Sequence, residues 1–97
     1  MTTQTDVKSV QASSSGLLGI GGANPTLGVR VKGIYWNGTT AGTLTFDDGS
    51  SSGTARITIS VPNGTAYMCL PGEGVRFTND VYLTFTTAVG AATVFYG

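Results

Sequence analysis

The sequence has no histidine and a single cysteine, Cys69, among its 97 residues. Without histidine, the chain cannot use an imidazole for acid–base catalysis, for metal binding or as a pH switch near neutrality. One cysteine excludes a disulfide within the chain and a cysteine-cluster zinc site. The carboxylates and hydroxyls that remain show no spacing that favours a nucleophile with its base or a glycosidase pair. We therefore expect no catalytic residue, no metal and no cofactor.

Charge is also scarce, because charged residues make up 10% of the chain, against about 25% in an ordinary soluble domain. Five Lys and Arg balance five Asp and Glu, so the formal net charge is zero. A duplex nucleic-acid binder needs a cationic excess to attract phosphates, so we expect no nucleic-acid partner. No run approaches the roughly 20 apolar residues of a membrane span, and the polar start lacks the layout of a secretory signal. We expect a soluble product of the cytoplasm with no membrane partner.

Glycine, threonine and serine take the place of charge, with 15 Gly, 16 Thr and 8 Ser. Apolar and polar residues alternate along most of the chain, which is typical of half-buried strands, and good helix formers are few. Turn residues such as Asn37-Gly38 separate the alternating segments. The pattern predicts strands and no helix, with the strands near residues 6–12, 29–36, 42–47, 55–61, 66–70, 75–78, 80–87 and 92–96.

About eight short antiparallel strands in so short a chain fit one compact domain that covers residues 1–97. The fold class that we predict is all-β, a jelly-roll-like antiparallel β-sandwich. A five-stranded oligonucleotide/oligosaccharide-type barrel is the alternative. Residues 1–5 precede the first predicted strand, and we expect them to form a flexible N-terminal arm.

The segment 13–28, rich in Gly and Ser, is the one stretch without a clear period, and it is predicted as a long loop. Loops of this length in compact domains tend to be functional or disordered. This one carries Leu17, Leu18 and Ile20, which a solvated linker does not need. Two interpretations stay open: a poorly patterned strand or flap that covers the core, or a contact loop that packs its aliphatic side chains against a partner chain.

The predicted strand 29–36 places two cations beside an aromatic residue. Strict alternation puts Arg30, Lys32, Ile34 and Trp36 on one face. A cationic face with an aromatic side chain is one way to hold single-stranded nucleic acid, but two cations are too few for strong binding at physiological salt. Other interpretations are a core tryptophan with cations at a subunit rim, or a sugar-binding platform built on Trp36, Tyr35 or Tyr82. The single cysteine, Cys69, lies in the apolar run Tyr67–Leu70, which predicts a buried, unreactive thiol.

Four segments within residues 29–97 form a recognisable set: VKGIYW at residues 31–36, AGTLTFDDG at 41–49, LPGEGVRF at 70–77 and the final VFYG at 94–97. Together they resemble small virion proteins of tailed bacteriophages, especially phages of marine and cyanobacterial hosts. The resemblance implies a non-enzymatic structural protein on the surface of the virion, most often a capsid decoration (cement) protein. It further implies a homotrimer that clamps neighbouring subunits of the major capsid protein. A tail- or head-fibre module that binds host carbohydrate or another virion protein is the alternative.

Uncharged, Thr- and Ser-rich strand faces can pack against other subunits without desolvating many ions, which suits a component of an assembly. The residues that we predict at such a partner interface are Leu17, Leu18, Ile20, Arg30, Lys32 and Trp36.

Overall fold

A computed structural model of the chain describes residues 8–20, 29–70, 74–78 and 80–97. These residues contain nine β-strands and no helix, so the all-β prediction is confirmed. The predicted N-terminal arm, residues 1–5, lies outside the described residues. The strands are β1 (Lys8–Ala12), β2 (Gly16–Leu17), β3 (Val29–Thr40), β4 (Gly42–Asp48), β5 (Ala55–Val61), β6 (Gly64–Cys69), β7 (Val75–Phe77), β8 (Val81–Thr86) and β9 (Val89–Tyr96).

The strands form two antiparallel sheets. Sheet A has the order β1-β9-β3-β6, with β7 also paired to β3, and sheet B has the order β2-β8-β4-β5. The pairs β1–β9, β2–β8, β3–β6 and β4–β5 are therefore nested, as though one long hairpin had been rolled into two layers. This nesting is the jelly-roll arrangement, and the prediction of a jelly-roll-like antiparallel sandwich is confirmed.

Strand β2 lies inside the segment that the sequence predicts as a loop. Gly16 and Leu17 pair with β8, and the Leu18 amide donates to the Val81 carbonyl oxygen at 2.9 Å. Gly16 and Leu17 thus form a poorly patterned strand, which is one of the interpretations left open for this segment. A two-residue strand is too short for alternation to reveal. Residues 21–28 lie outside the described residues.

The core lies between the sheets, and both sheets contribute to it. Its largest fully buried side chains are Trp36, Phe46, Phe77, Ile34, Leu44, Leu83, Val31, Val81 and Val94. Within each strand these residues alternate with outward-facing ones, so each sheet has one buried and one outer face. The apolar period detected in the sequence is thus the period of core packing.

Strand β3 departs from regular pairing with β9 at two points, between Val31 and Gly33 and between Gly38 and Thr40, and the first changes which side chains face the core. In its pairing with β9, Val31 faces Tyr96 and Gly33 faces Phe95, so Lys32 is an extra residue on β3. Such a β-bulge shifts the alternation by one. Val31 is buried before the bulge, whereas Ile34 and Trp36 are buried after it. The prediction that Ile34 and Trp36 share a face with Arg30 and Lys32 is therefore wrong.

Trp36 is held in the core by shape and by one hydrogen bond. Its side chain is fully buried, and the indole N–H donates to the Pro62 carbonyl oxygen at 2.7 Å. Its ring lies 6.0 Å from that of Phe85, at an interplanar angle of 48°. The indole also lies across Gly38, where a methyl group would come within 2.1 Å of Cζ2. Gly38 is thus required for the indole to lie where it does.

We predict that Gly38→Ala lowers the free energy of unfolding by about 3 kcal/mol, because overpacking a filled core forces side chains and backbone to shift. The matched control is Gly16→Ala, since a methyl group there meets no atom within 4 Å. The control should leave stability unchanged or slightly higher. Denaturant unfolding of both variants measures the difference, and equal effects would contradict this packing of Trp36.

Candidate partner-binding face

The outer face of sheet B is covered mainly by threonine and serine hydroxyl groups. Thr43 stands opposite Ser60 and Thr86, and one step along the strand Thr45 stands opposite Thr58 and Thr84. Threonine suits a pleated, half-exposed surface, and cross-strand hydroxyl pairs add modest stability. This face offers many weak hydrogen-bonding groups and no large exposed aromatic side chain.

The outer face of sheet A differs because it exposes aromatic side chains. Tyr35 on β3 and Tyr67 on β6 stand directly opposite each other, and they are 40% and 61% exposed. The ring of Tyr67 meets Phe95 edge-on, with 6.3 Å between centroids. It also leans over Gly33, where a methyl group would lie 3.3 Å from the tyrosine Oη. Tyr67 is therefore held in place from beneath while much of its surface meets solvent.

Cations lie on the same outer face, towards the start of β3. Arg30 and Arg76 are both exposed and stand directly opposite each other across β3 and β7. Lys32, at the bulge, is half-buried. We call the surface formed by Arg30, Lys32, Tyr35, Tyr67 and Arg76 the Arg/Tyr strip. From Arg30 to Tyr35 it runs four ladder steps, because Lys32 is the extra residue of the bulge, or about 13 Å at the usual rise of a strand.

The side-chain carboxylates of the described residues belong to sheet B and its loops. Asp47 is buried on β4, and Asp48 pairs with Arg56 at 3.3 Å. Asp48 also accepts hydrogen bonds from the Thr78 amide and hydroxyl, at 3.1 and 2.8 Å. Asp80 accepts from three main-chain amides. The described acidic side chains thus lie on the side of sheet B, whereas Arg30, Lys32 and Arg76 lie on sheet A.

Cys69 borders the strip, because it faces Gly33 across β3 and β6 and is exposed. The prediction of a buried thiol is wrong. Alternation within β6 turns Met68 inward and Cys69 outward, although both lie in one apolar run. The thiol is therefore a natural position for a chemical probe beside the strip.

The residues predicted for an interface or a sugar platform are dispersed by the fold. Arg30 and Lys32 belong to the Arg/Tyr strip, whereas Trp36 lies in the core. Tyr82 lies on sheet B, paired with Leu17 and Asp47, so it cannot form one platform with Tyr35. Tyr67, Phe95 and Arg76 were missed by sequence reasoning. Each has an alternation signal, but only the pairing register shows that they meet at β3.

The segment after β2 divides the two interpretations of the aliphatic residues 17–20. Leu18 and Ile20 pack against the core, whereas Leu17 is 57% exposed. Asp80 fastens this segment: its carboxylate accepts from the amides of Gly19 and Ile20, each at 3.0 Å, and from that of Val81 at 2.7 Å. Leu18 and Ile20 therefore act as a flap over the core, and Leu17 is the member that a partner can reach directly. An interface role for these three residues stays a prediction.

The described residues contain no group of three or more Cys, Asp or Glu side chains placed to hold a metal ion. None of their elements is a helix of the length and apolarity needed to cross a membrane. The chemistry that the Arg/Tyr strip offers is non-covalent: ring contact, guanidinium hydrogen bonds and charge.

We predict that Leu17→Ser changes the free energy of unfolding by no more than about 0.5 kcal/mol, because the side chain is already largely in water. Leu18→Ser should cost about 1–3 kcal/mol, since it removes buried apolar surface and adds a hydroxyl. Denaturant midpoints of the two variants provide the measurement. A larger loss for Leu17→Ser than for Leu18→Ser would contradict the placement of this segment.

We also predict that Asp80→Ala lowers the free energy of unfolding by about 2 kcal/mol, because three amides lose a charged acceptor. Hydrogen exchange at the Gly19 and Ile20 amides should accelerate more than exchange in the centre of β4. Asp80→Asn is the matched variant, since it keeps one acceptor oxygen and should lose less. Unchanged exchange at both amides would show that the carboxylate does not fasten the segment.

Comparison of the chain with protein-family models, with curated proteins and with solved structures found no match.

Proposed function

We propose that this chain is a non-enzymatic structural protein of a phage virion, a decoration (cement) protein that binds the assembled, expanded head. Its partner in this proposal is the major capsid protein of the same virion. The sequence resemblance over residues 29–97 suggests the setting, and the Arg/Tyr strip supplies the contact surface. The exposure of Tyr35 and Tyr67 beside Arg30 and Arg76 is the observation on which the proposal depends.

Tyrosine and arginine are the residue types that protein interfaces favour. Alanine scans find binding hot spots enriched in Trp, Tyr and Arg, and interface cores are depleted in Lys, Glu and Asp. Phe95 and Gly33 hold Tyr67 before any partner arrives, so little side-chain entropy remains to be lost on binding. A rigid sheet that presents such side chains fits a docking role better than a catalytic one.

The setting of an expanded shell explains how a small domain is useful. Such a shell is thin, and packaged DNA pushes its subunits apart. A clamp that spans a junction adds buried area, roughly 800 Å² per partner for a standard interface. Many copies on one lattice gain by multivalency, so each contact can be modest. A homotrimer, which we propose as the bound form, multiplies the contacts per molecule in the same way.

We predict that the purified chain binds expanded shells, raises their disruption temperature and does not bind free capsid subunits. Tyr35→Ser combined with Tyr67→Ser should weaken shell binding about tenfold or more while the fold is retained, since two hot-spot rings are removed. Thr58→Ala combined with Ser60→Ala, on the hydroxyl face of sheet B, is the control and should bind normally. Alkylation of Cys69 should slow when shells are added, because the thiol borders the strip.

Three results would contradict this proposal. They are equal binding to shells and free subunits, normal binding by the tyrosine variant, and unchanged alkylation of Cys69 in the bound state. Loss of binding by the Thr58 and Ser60 control would instead assign the contact to sheet B. Circular dichroism of each variant checks that the fold is intact before binding is compared.

A tail- or head-fibre module that binds carbohydrate is the second candidate. Tyr35 and Tyr67 offer ring surfaces for a neutral sugar, and Asn37 and Thr65, the next outward pair on β3 and β6, offer hydrogen-bonding groups. Few copies per particle and saturable binding of host surface glycan would favour this function. Many copies per particle, with no glycan binding, favour cementing.

A further inference from the structure

Arg30 and Arg76 form a cross-strand pair of like charge. The two residues stand directly opposite each other and both are exposed. Guanidinium groups remain charged at any physiological pH, and like charges placed directly opposite each other destabilise a sheet. A pair that weakens the free domain is explained if a bound partner supplies the missing negative charge.

The described side-chain carboxylates do not supply that charge. The ion pair that joins described residues is Arg56 with Asp48, on the other sheet. Asp80 is engaged with main-chain amides near β2, and Asp47 is buried on β4. Among the described residues, neither Arg30 nor Arg76 has a carboxylate within ion-pair distance. Both guanidiniums therefore have donors available to an outside acceptor.

We propose that Arg30 and Arg76 are an oxyanion clamp for the carboxylates of an acidic segment of the partner protein. The inference rests on the proposed docking of this chain through the Arg/Tyr strip, and it assigns the chemistry of the segment that docks. Each guanidinium donates two parallel hydrogen bonds to an Asp or Glu carboxylate, a bidentate geometry that a lysine ammonium cannot match. The carboxylates lie at this end, and the segment continues along β3 towards the tyrosines.

The order of groups along the strip defines the partner further. Tyr35 and Tyr67 lie four ladder steps from the arginine pair, or about 13 Å, a distance that an extended segment spans in about four residues. The partner segment is therefore acidic at one end and apolar or aromatic about four residues away. A uniformly acidic segment would leave Tyr67 without an apolar contact.

The test compares Arg30→Gln/Arg76→Gln with Arg56→Gln, a control that removes an arginine from the opposite sheet. The double variant should bind expanded shells about tenfold more weakly, chiefly through slower association, because it loses the steering charge. Its binding should also depend less on salt than that of the wild type. Its melting temperature should rise rather than fall, since the like-charge pair is gone. Arg56→Gln should bind normally and gain no stability.

The outcomes separate the clamp from the proposed function. Wild-type binding with unchanged affinity in the double variant would overturn the clamp and leave the docking proposal standing, whereas no wild-type binding to shells would remove both. An oligoglutamate peptide and a sulfated polysaccharide serve as competitors. Displacement of the wild type by the peptide supports the clamp. Displacement by the polysaccharide alone would overturn it in favour of a polysaccharide ligand. A fall in melting temperature of the double variant would show that the arginines stabilise the fold and would overturn the argument from like charge.

Discussion

The bulge at Lys32 in strand β3 determines which side chains of the central strand of sheet A face the core and which face outward. Before it, Val31 points inward and Arg30 outward; after it, Trp36 points inward and Tyr35 outward. A strand of strict alternation would place Tyr35 on the side of Val31, and Trp36 beside Arg30 at the surface. One extra residue therefore gives the domain a tryptophan in its core and lets arginine and tyrosine share one outer face.

Some of the few charged side chains stabilise loops through hydrogen bonds, and others lie exposed on the outer face of sheet A. Asp48 holds Thr78 and Arg56, and Asp80 closes the flap of residues 18–20 over the core. These hydrogen bonds to charged acceptors stabilise loops that carry little apolar surface of their own. Among the described side chains, the carboxylates lie on the side of sheet B, whereas Arg30 and Arg76 lie on sheet A. A net charge of zero thus does not mean that the described charges are evenly distributed.

The strand pattern could be predicted from the sequence because core packing imposes alternation on every long strand. Strand β8 is an example, since Val81 and Leu83 are buried and the intervening Tyr82 faces outward. The candidate site could not be predicted in the same way. Its residues come from β3, β6 and β7, and the register that brings Tyr67 opposite Tyr35 depends on long-range pairing. The bulge has one local signal, Gly33, because an isolated glycine within a strand pattern often marks a bulge, whereas strict alternation passes through it unchanged. The apolar run around Cys69 suggests burial, but alternation within β6 turns the thiol outward.

Strand β3 connects the stability of the domain to its contact surface. It pairs with β9 on one side and with β6 and β7 on the other, and its inner face holds Trp36 beneath the strip. Side chains on a strand paired along both edges are held more rigidly than side chains on loops. A partner that binds the strip therefore meets a preformed surface, and most of its contact energy remains as affinity. The like-charge pair stands on this rigid frame, so an acidic partner that binds there adds attraction to both guanidiniums and reduces the repulsion between them.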